Sequence, residues 1–153
     1  MLGVGIVVWA VTLAVIDLRV RRLPDLLTLP AAVVAVIWAV ANGVPAAVTG
    51  GLGWFLLCVV PGLLSRRLVA GGGDAKLALS LGTVAAGVGG VYGWLLAVGA
   101  ASVVTLLLGL VPVVRRHEGH DAHGLPHGPG MLLATGVVAG ASEVIAITNI
   151  GGW

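Results

Sequence analysis

Gly71-Gly72-Gly73-Asp74-Ala75-Lys76 is the stretch around which this chain is organised. Two long apolar segments flank it, so Asp74 opens the second of them and places a carboxylate at the edge of a predicted membrane span. Placing an ionisable group there costs free energy, so such a group is a functional-site candidate by default. Asp17 closes the first apolar segment of the chain, again at a predicted membrane edge. We therefore predict that Asp17 and Asp74 act as a pair.

The composition excludes an ordinary soluble domain and a disordered chain. Of the 153 residues, 59% are hydrophobic and 9% are charged, and the mean hydropathy is +1.13. Several apolar runs approach the roughly 20 residues that a helix needs to cross a bilayer, and the 25 glycines suit close packing of membrane helices. Continuous apolar runs argue against a β-barrel. The sequence predicts an all-α, polytopic membrane protein in one domain, residues 1–153.

The basic residues predict how the segments cross the membrane. Every Lys and Arg falls at or in the connection after the first, third or fifth apolar segment, whereas both termini and the other two connections have none. Basic loops face the cytoplasm, so we predict six transmembrane helices with both termini outside. The predicted segments are Met1–Ile16, Leu26–Ala41, Ala46–Leu64, a short one from Asp74 to the glycines at 87–90, Tyr92–Val114 and Gly130–Ile150.

Both aspartates lie at the cytoplasmic ends of their predicted helices, at the same membrane depth. Three patches around them resemble the type IV prepilin peptidases and their archaeal preflagellin relatives. The stretch 17–25 looks like the family's first aspartate with its basic turn, and 71–77 looks like its Gly-x-Gly-Asp-x-Lys-Leu motif. The stretch 125–129, Leu-Pro-His-Gly-Pro, looks like the Pro-x-Gly-Pro before its last helix.

This resemblance implies an aspartic endopeptidase that removes the leader of pilin-like precursors (Flp/Tad pilin or preflagellin) at the inner membrane of a prokaryote, with its active site facing the cytoplasm. Asp17 and Asp74 would be catalytic. The expected partners are a prepilin-like substrate and the lipid bilayer, with no cofactor, metal or nucleic acid, and a homo-oligomer is an open alternative. Further residues would bind substrate or shape the site: Gly71, Gly72, Gly73, Lys76, Pro24, Asp25, Pro126, Gly128 and Pro129.

Two departures from the family pattern refine this expectation. Position 25 is Asp where the family usually has Asn, which adds a third carboxylate near the site. Long bacterial members carry an additional region with zinc-binding cysteine pairs and methylate the cleaved pilin, whereas this chain has only Cys58. It therefore looks like the short form, and we predict peptidase activity without methyltransferase activity.

The helix ends suggest separate roles for the two carboxyl groups. Two carboxylates that share a site do not both ionise easily. Asp74 lies at a helix N-terminus, which favours the carboxylate, and Asp17 lies at a C-terminus, which favours the protonated acid. This predicts Asp74 as the resting base and Asp17 as the proton holder, with Arg19 acting in the opposite direction on Asp17.

Other polar residues receive simpler interpretations. The stretch His117–His123, with His127 beyond it, lacks the His-Glu-x-x-His spacing of metalloproteases, and we interpret it as a solvated, pH-sensitive loop. Lys76 is expected to reach toward lipid headgroups. The alternatives are a protease that cuts within membrane spans and, from another class, a small carrier that uses the aspartates to bind protons or ions.

Overall fold

The computed structural model describes residues 2–20, 23–64, 72–110 and 127–150, and all regular structure in these ranges is helical. The helices are α1 (Leu2–Val20), α2 (Asp25–Ala41), α3 (Val48–Leu64), α4 (Gly72–Leu110) and α5 (Gly128–Ile150), with a short 3₁₀ turn at Pro45–Ala47 before α3. The predicted all-α fold is confirmed for the described residues.

Gly43 ends α2 and reverses the chain. Its φ is +72°, a left-handed conformation that glycine adopts at little cost. The amide of Gly43 donates to the Val40 carbonyl over 3.1 Å, and the amide of Val44 donates to the Ala39 carbonyl over 2.9 Å. These bonds satisfy carbonyl groups that the helix end leaves open. The turn lies where the sequence predicts one, at Asn42–Pro45.

Gly90 divides α4 into a first arm (residues 72–89) and a second arm (residues 91–110). Its φ of +59° and ψ of −155° are not helical, and side chains with a β-carbon rarely adopt them. A Cβ placed on Gly93 would lie 3.1 Å from the carbonyl oxygen of Ala85. Eight residues of a straight helix would span about 12 Å, so the chain folds back at Gly90. The fourth and fifth predicted segments are therefore the two arms of α4.

The first arm packs against α3 with almost no side chain between the backbones. A Cβ on Gly82 would lie 2.7 Å from the carbonyl oxygen of Gly50. The hydrogen bond from Trp94 Nε1 to the same oxygen, 2.8 Å long, attaches the second arm to α3 as well. Buried Leu13, Trp54, Leu77 and Met131, from four helices, belong to one apolar core. Close packing of small residues thus joins α3 to the first arm.

The direction of α5 shows which helix ends meet. Its first turn lies against the second arm near Ala101, and farther along it Val138 lies near Gly89 and Gly93 at the turn between the arms. We call the end of the bundle where α5 begins the site end. The described charged side chains that the sequence analysis singled out, Asp17, Arg19, Asp25, Asp74 and Lys76, all lie near this end.

The outer surface of the bundle is strongly apolar. Large apolar side chains such as Val7 (61% exposed), Leu29 and Leu96 face outward, which is the surface expected against lipid rather than water. By length and composition, two helices among the described residues could cross a membrane, Pro45–Leu64 and Gly72–Leu108, and Asp25–Ala41 and Gly128–Ser142 are shorter apolar helices. Six crossings and outward termini stay predictions.

Candidate active site

Asp17 lies in the last turn of α1, inside the helix rather than after its end. The predicted segment stops at Ile16, whereas α1 continues to Val20. The side chain is only 4% exposed and lies one turn beyond the fully buried Leu13, on the same face of the helix. The fold therefore holds a carboxyl group in its interior, where such groups are rare without partners.

The beginning of α5 supplies a partner for Asp17. The amide N–H of Gly128 donates to Asp17 Oδ2 over 3.0 Å, using one of the amides that a helix N-terminus leaves without an intrahelical acceptor. A Cβ on Gly128 would lie 2.8 Å from that oxygen, so the missing side chain permits the contact. Because an amide only donates, Oδ2 accepts, and any proton on Asp17 is best placed on Oδ1.

Asp74 lies in the first turn of α4 and is 8% exposed. The charge of Asp17 acts on its carboxyl group, so the two side chains, from distant parts of the sequence, lie near one another. Asp74 also acts electrostatically on the buried thiol of Cys58 in α3. Three helices thus surround this position. The N-terminus of α5 lies beside Asp17, in addition to the C-terminus of α1. The division of roles between the two aspartates stays a prediction.

Helix α4 begins two residues before Asp74, where the predicted segment starts. Gly72 and Gly73 are already helical, and Gly71 lies outside the described residues. A Cβ on Gly73 would lie 2.6 Å from Cβ of Leu23, a buried residue of the connection after α1. Gly73 therefore lets the first turn of α4 approach the chain that follows Asp17.

Lys76 and Asp25 form an ion pair beside the two aspartates. Lys76 Nζ lies 2.6 Å from Asp25 Oδ1, and the two side chains are 34% and 60% exposed. The ammonium group thus contacts the first turn of α2, and its expected position at the lipid headgroups stays a prediction. Pro24 precedes this turn, and its carbonyl accepts the Leu27 and Thr28 amides. Exposed pairs of this kind contribute about 0–1 kcal/mol, so this pair adds little to the stability of the fold.

The third sequence patch is described only in its second half. Pro126 and the stretch His117–His123 lie outside the described residues. Pro129 is buried in the first turn of α5, where proline costs no helical hydrogen bond. Gly128 contacts Asp17 as given above. In the parts of the chain that the structure describes, no group of three or more His, Cys, Asp or Glu side chains could hold a metal ion.

Two residues of the site end could not be identified as site residues from the sequence. His127 is half-buried and hydrogen-bonds through Nδ1 to Thr105 Oγ1 on the second arm, whereas the sequence assigns His127 to a solvated loop. Burial lowers the pKa of the His127 imidazole below its usual value. The one available signal was its place directly before the glycine that opens α5. Thr105 gave none, because only the packing of α5 on the second arm brings it near.

Fold and site together define an apolar helical protein with a pair of buried carboxyl groups at one end. The model of the type IV leader peptidase family matches residues 4–110. This match covers more than half of the chain, which therefore belongs to the type IV leader peptidase family, as the resemblance predicts. The match includes Asp17, Asp25, Asp74 and Lys76 and ends before Gly128. No curated protein and no solved structure matches the chain. The family supports a leader-peptidase-like protease in a membrane rather than a carrier.

Proposed function

We propose that this protein is a membrane aspartic endopeptidase that cleaves the leader from type IV pilin-like precursors, of the Flp/Tad pilin or preflagellin kind, at the cytoplasmic face of a prokaryotic inner membrane. The observation that carries the proposal is the pair Asp17 and Asp74: both are buried, they come from different helices, and they interact electrostatically at one end of the bundle. Membership of the type IV leader peptidase family supports the same conclusion.

The two carboxyl groups have different roles in peptide hydrolysis, one as proton acceptor and one as proton donor. The ionised carboxylate takes a proton from water, and the resulting hydroxide attacks the scissile carbonyl carbon. The protonated carboxyl group donates a hydrogen bond to the carbonyl oxygen, and a proton then passes to the leaving amine. Because the Gly128 amide contacts Oδ2, the Asp17 oxygen that exchanges protons is Oδ1 in this scheme.

The surface of the bundle suits a substrate that approaches through the bilayer. Pilin-like precursors carry a basic leader, a glycine before the cut and then an apolar helix. That helix would lie against the apolar outer faces, with its cut site at the depth of Asp17 and Asp74. Asp25 is the more exposed member of its ion pair, so it is available to the basic leader. The absence of a cysteine pair among residues 1–153 supports cleavage without methyl transfer.

A cleavage assay tests the proposal. Membranes containing wild type, Asp17→Asn or Asp74→Asn are supplied with a Flp-type prepilin and with a preflagellin, and products are located by mass spectrometry. Asn keeps the shape and removes the titrating group, so each variant should lose at least about 100-fold in rate, as for other acid–base groups. Asn42→Asp, at the other end of the bundle, is the matched control and should cleave normally.

Two results would contradict the proposal. Full activity in either single aspartate variant would exclude the two-carboxylate mechanism. Failure of folded wild type to cut any pilin-like precursor, combined with uncoupler-sensitive transport in vesicles, would support the carrier instead.

A further inference from the structure

His127 connects three helices at the site end. Its Nδ1 bonds to Thr105 Oγ1 on the second arm, and its backbone carbonyl accepts the Met131 amide of α5 over 3.2 Å. The next residue, Gly128, donates its amide to Asp17 on α1. The beginning of α5 is thus attached to the second arm on one side of His127 and to a proposed catalytic carboxyl group on the other.

The hydrogen-bond directions around Thr105 assign the histidine tautomer. The Thr105 hydroxyl has one hydrogen, and its oxygen lies 2.9 Å from the Ala101 carbonyl, which can only accept. The hydroxyl therefore donates to Ala101 and accepts from His127 Nδ1–H. Burial lowers the pKa of His127, so the imidazole is neutral at neutral pH and carries one proton. That proton is on Nδ1, and Nε2 is unprotonated.

The contact between α5 and the second arm is close. A Cβ on Gly130 would lie 2.8 Å from the Ala101 carbonyl oxygen and 3.0 Å from Thr105 Oγ1. The His127–Thr105 hydrogen bond therefore lies beside a close backbone contact between α5 and the second arm. We expect loss of this bond to displace the beginning of α5, where Gly128 is the first residue.

We propose that the hydrogen bond from His127 to Thr105 positions the Gly128 amide, and through it Asp17, for the reaction. His127 and Thr105 are positioning residues, because neither is placed in contact with the reacting atoms. The role rests on the proposed function of Asp17, while the hydrogen bond itself can be tested without activity. Displacing a reactive group by about 1 Å can cost a factor of about 100 in rate.

Paired variants separate positioning from folding. His127→Asn keeps a donor near the place of Nδ1, whereas His127→Leu removes it; Thr105→Ser keeps the hydroxyl, whereas Thr105→Val keeps the shape without it. The Leu and Val variants should lower kcat by about 10- to 100-fold with little change in KM, and the Asn and Ser variants should stay within about threefold of wild type. The His127→Leu/Thr105→Val double variant should be no slower than the slower single one.

Normal kcat in His127→Leu or Thr105→Val would overturn the proposal, as would losses that multiply in the double variant or a failure of Asn and Ser to restore activity. A second measurement uses nitrogen NMR of the ¹⁵N-labelled imidazole in detergent at neutral pH. We expect a protonated Nδ1 in wild type; a protonated Nε2 with an unprotonated Nδ1 would overturn the proposal. This measurement is informative even if wild type cleaves no pilin precursor, so the two proposals can fail separately.

Discussion

The carboxyl group of Asp17 is oriented by a residue more than a hundred positions away. Gly128 donates an amide to Oδ2 and also leaves room for that oxygen, since a Cβ there would lie 2.8 Å from it. The first effect comes from the backbone amide of Gly128, and the second comes from its lack of a side chain. The sequence marks Asp17 and Asp74 through their membrane-edge position and motifs, but it does not tell which oxygen of Asp17 accepts the Gly128 amide.

Replacing Gly128 with alanine should separate activity from stability. The new methyl group meets the end of a side chain, which can move aside, so the thermal unfolding temperature in detergent should stay near that of wild type. The Asp17 carboxyl group must shift, however, and we expect kcat to fall by about 10- to 100-fold.

Gly136→Ala is the control for this prediction, because nothing lies within 4 Å of a Cβ on Gly136 in the same helix. It should cleave like wild type. Equal kcat in both alanine variants would show that the Gly128 contact does not orient Asp17.

The site residues that sequence analysis missed share one property. His127 and Thr105 come together only through packing between the second arm and α5, and no local pattern reports such a contact. Lys76 is similar: its position beside Asp74 was evident, but its pairing with Asp25 depends on how the starts of α2 and α4 lie together. Motifs identified the reactive groups, and tertiary contacts supplied their surroundings.

The apolar segments and the glycine-containing turns of the sequence predict most of the helix positions. The sequence predicts turns at Asn42–Pro45 and at 87–90, and the chain turns in both places, with positive φ at Gly43 and Gly90. The helix ends near the site were predicted less well. Helix α1 runs to Val20 and α4 begins at Gly72, because an apolar segment marks what is shielded from water, whereas backbone hydrogen bonding can continue the helix past the end of that segment.

The contact between α3 and the first arm should be sensitive to one methyl group. A Cβ on Gly82 would lie 2.7 Å from the Gly50 carbonyl oxygen and 2.9 Å from Cα of Gly51, so both close neighbours are backbone atoms. Gly82→Ala should therefore push the two helices apart and destabilise the fold by about 1–3 kcal/mol. The measurement is thermal unfolding in detergent.

Gly99→Ala in the second arm provides the comparison, since a Cβ there meets nothing within 4 Å. It should leave the unfolding temperature unchanged or raise it slightly, because alanine favours helix. A Gly82→Ala protein as stable as Gly99→Ala would mean that α3 and the first arm pack less closely than described.

Charged residues are distributed unevenly over the molecule as a whole. Of the charged residues in the described ranges, all but Glu143 of α5 lie at the site end, and the turns at Asn42–Pro45 and Gly90 at the other end carry no charge. This asymmetry agrees with the positive-inside prediction.

Thiol labelling tests the predicted orientation. In a Cys58→Ser background, which has no other cysteine, Asn42→Cys should react with an impermeant maleimide in intact spheroplasts. Arg66→Cys, in the predicted cytoplasmic connection after α3, should react only after the membrane is opened. The reverse pattern would place the site end on the outer face and contradict the predicted orientation.

The hydrogen bond from Gly128 to Asp17 also has a consequence for biosynthesis. A ribosome makes Asp17 and Asp74 long before it reaches residue 128, so a nascent chain contains both carboxyl groups while the amide donor to Asp17 does not yet exist. This hydrogen bond forms only after the start of α5 has been synthesised and has packed against α1. Synthesis of α5 thus sets the earliest moment at which newly made protein acquires the amide donor to Asp17.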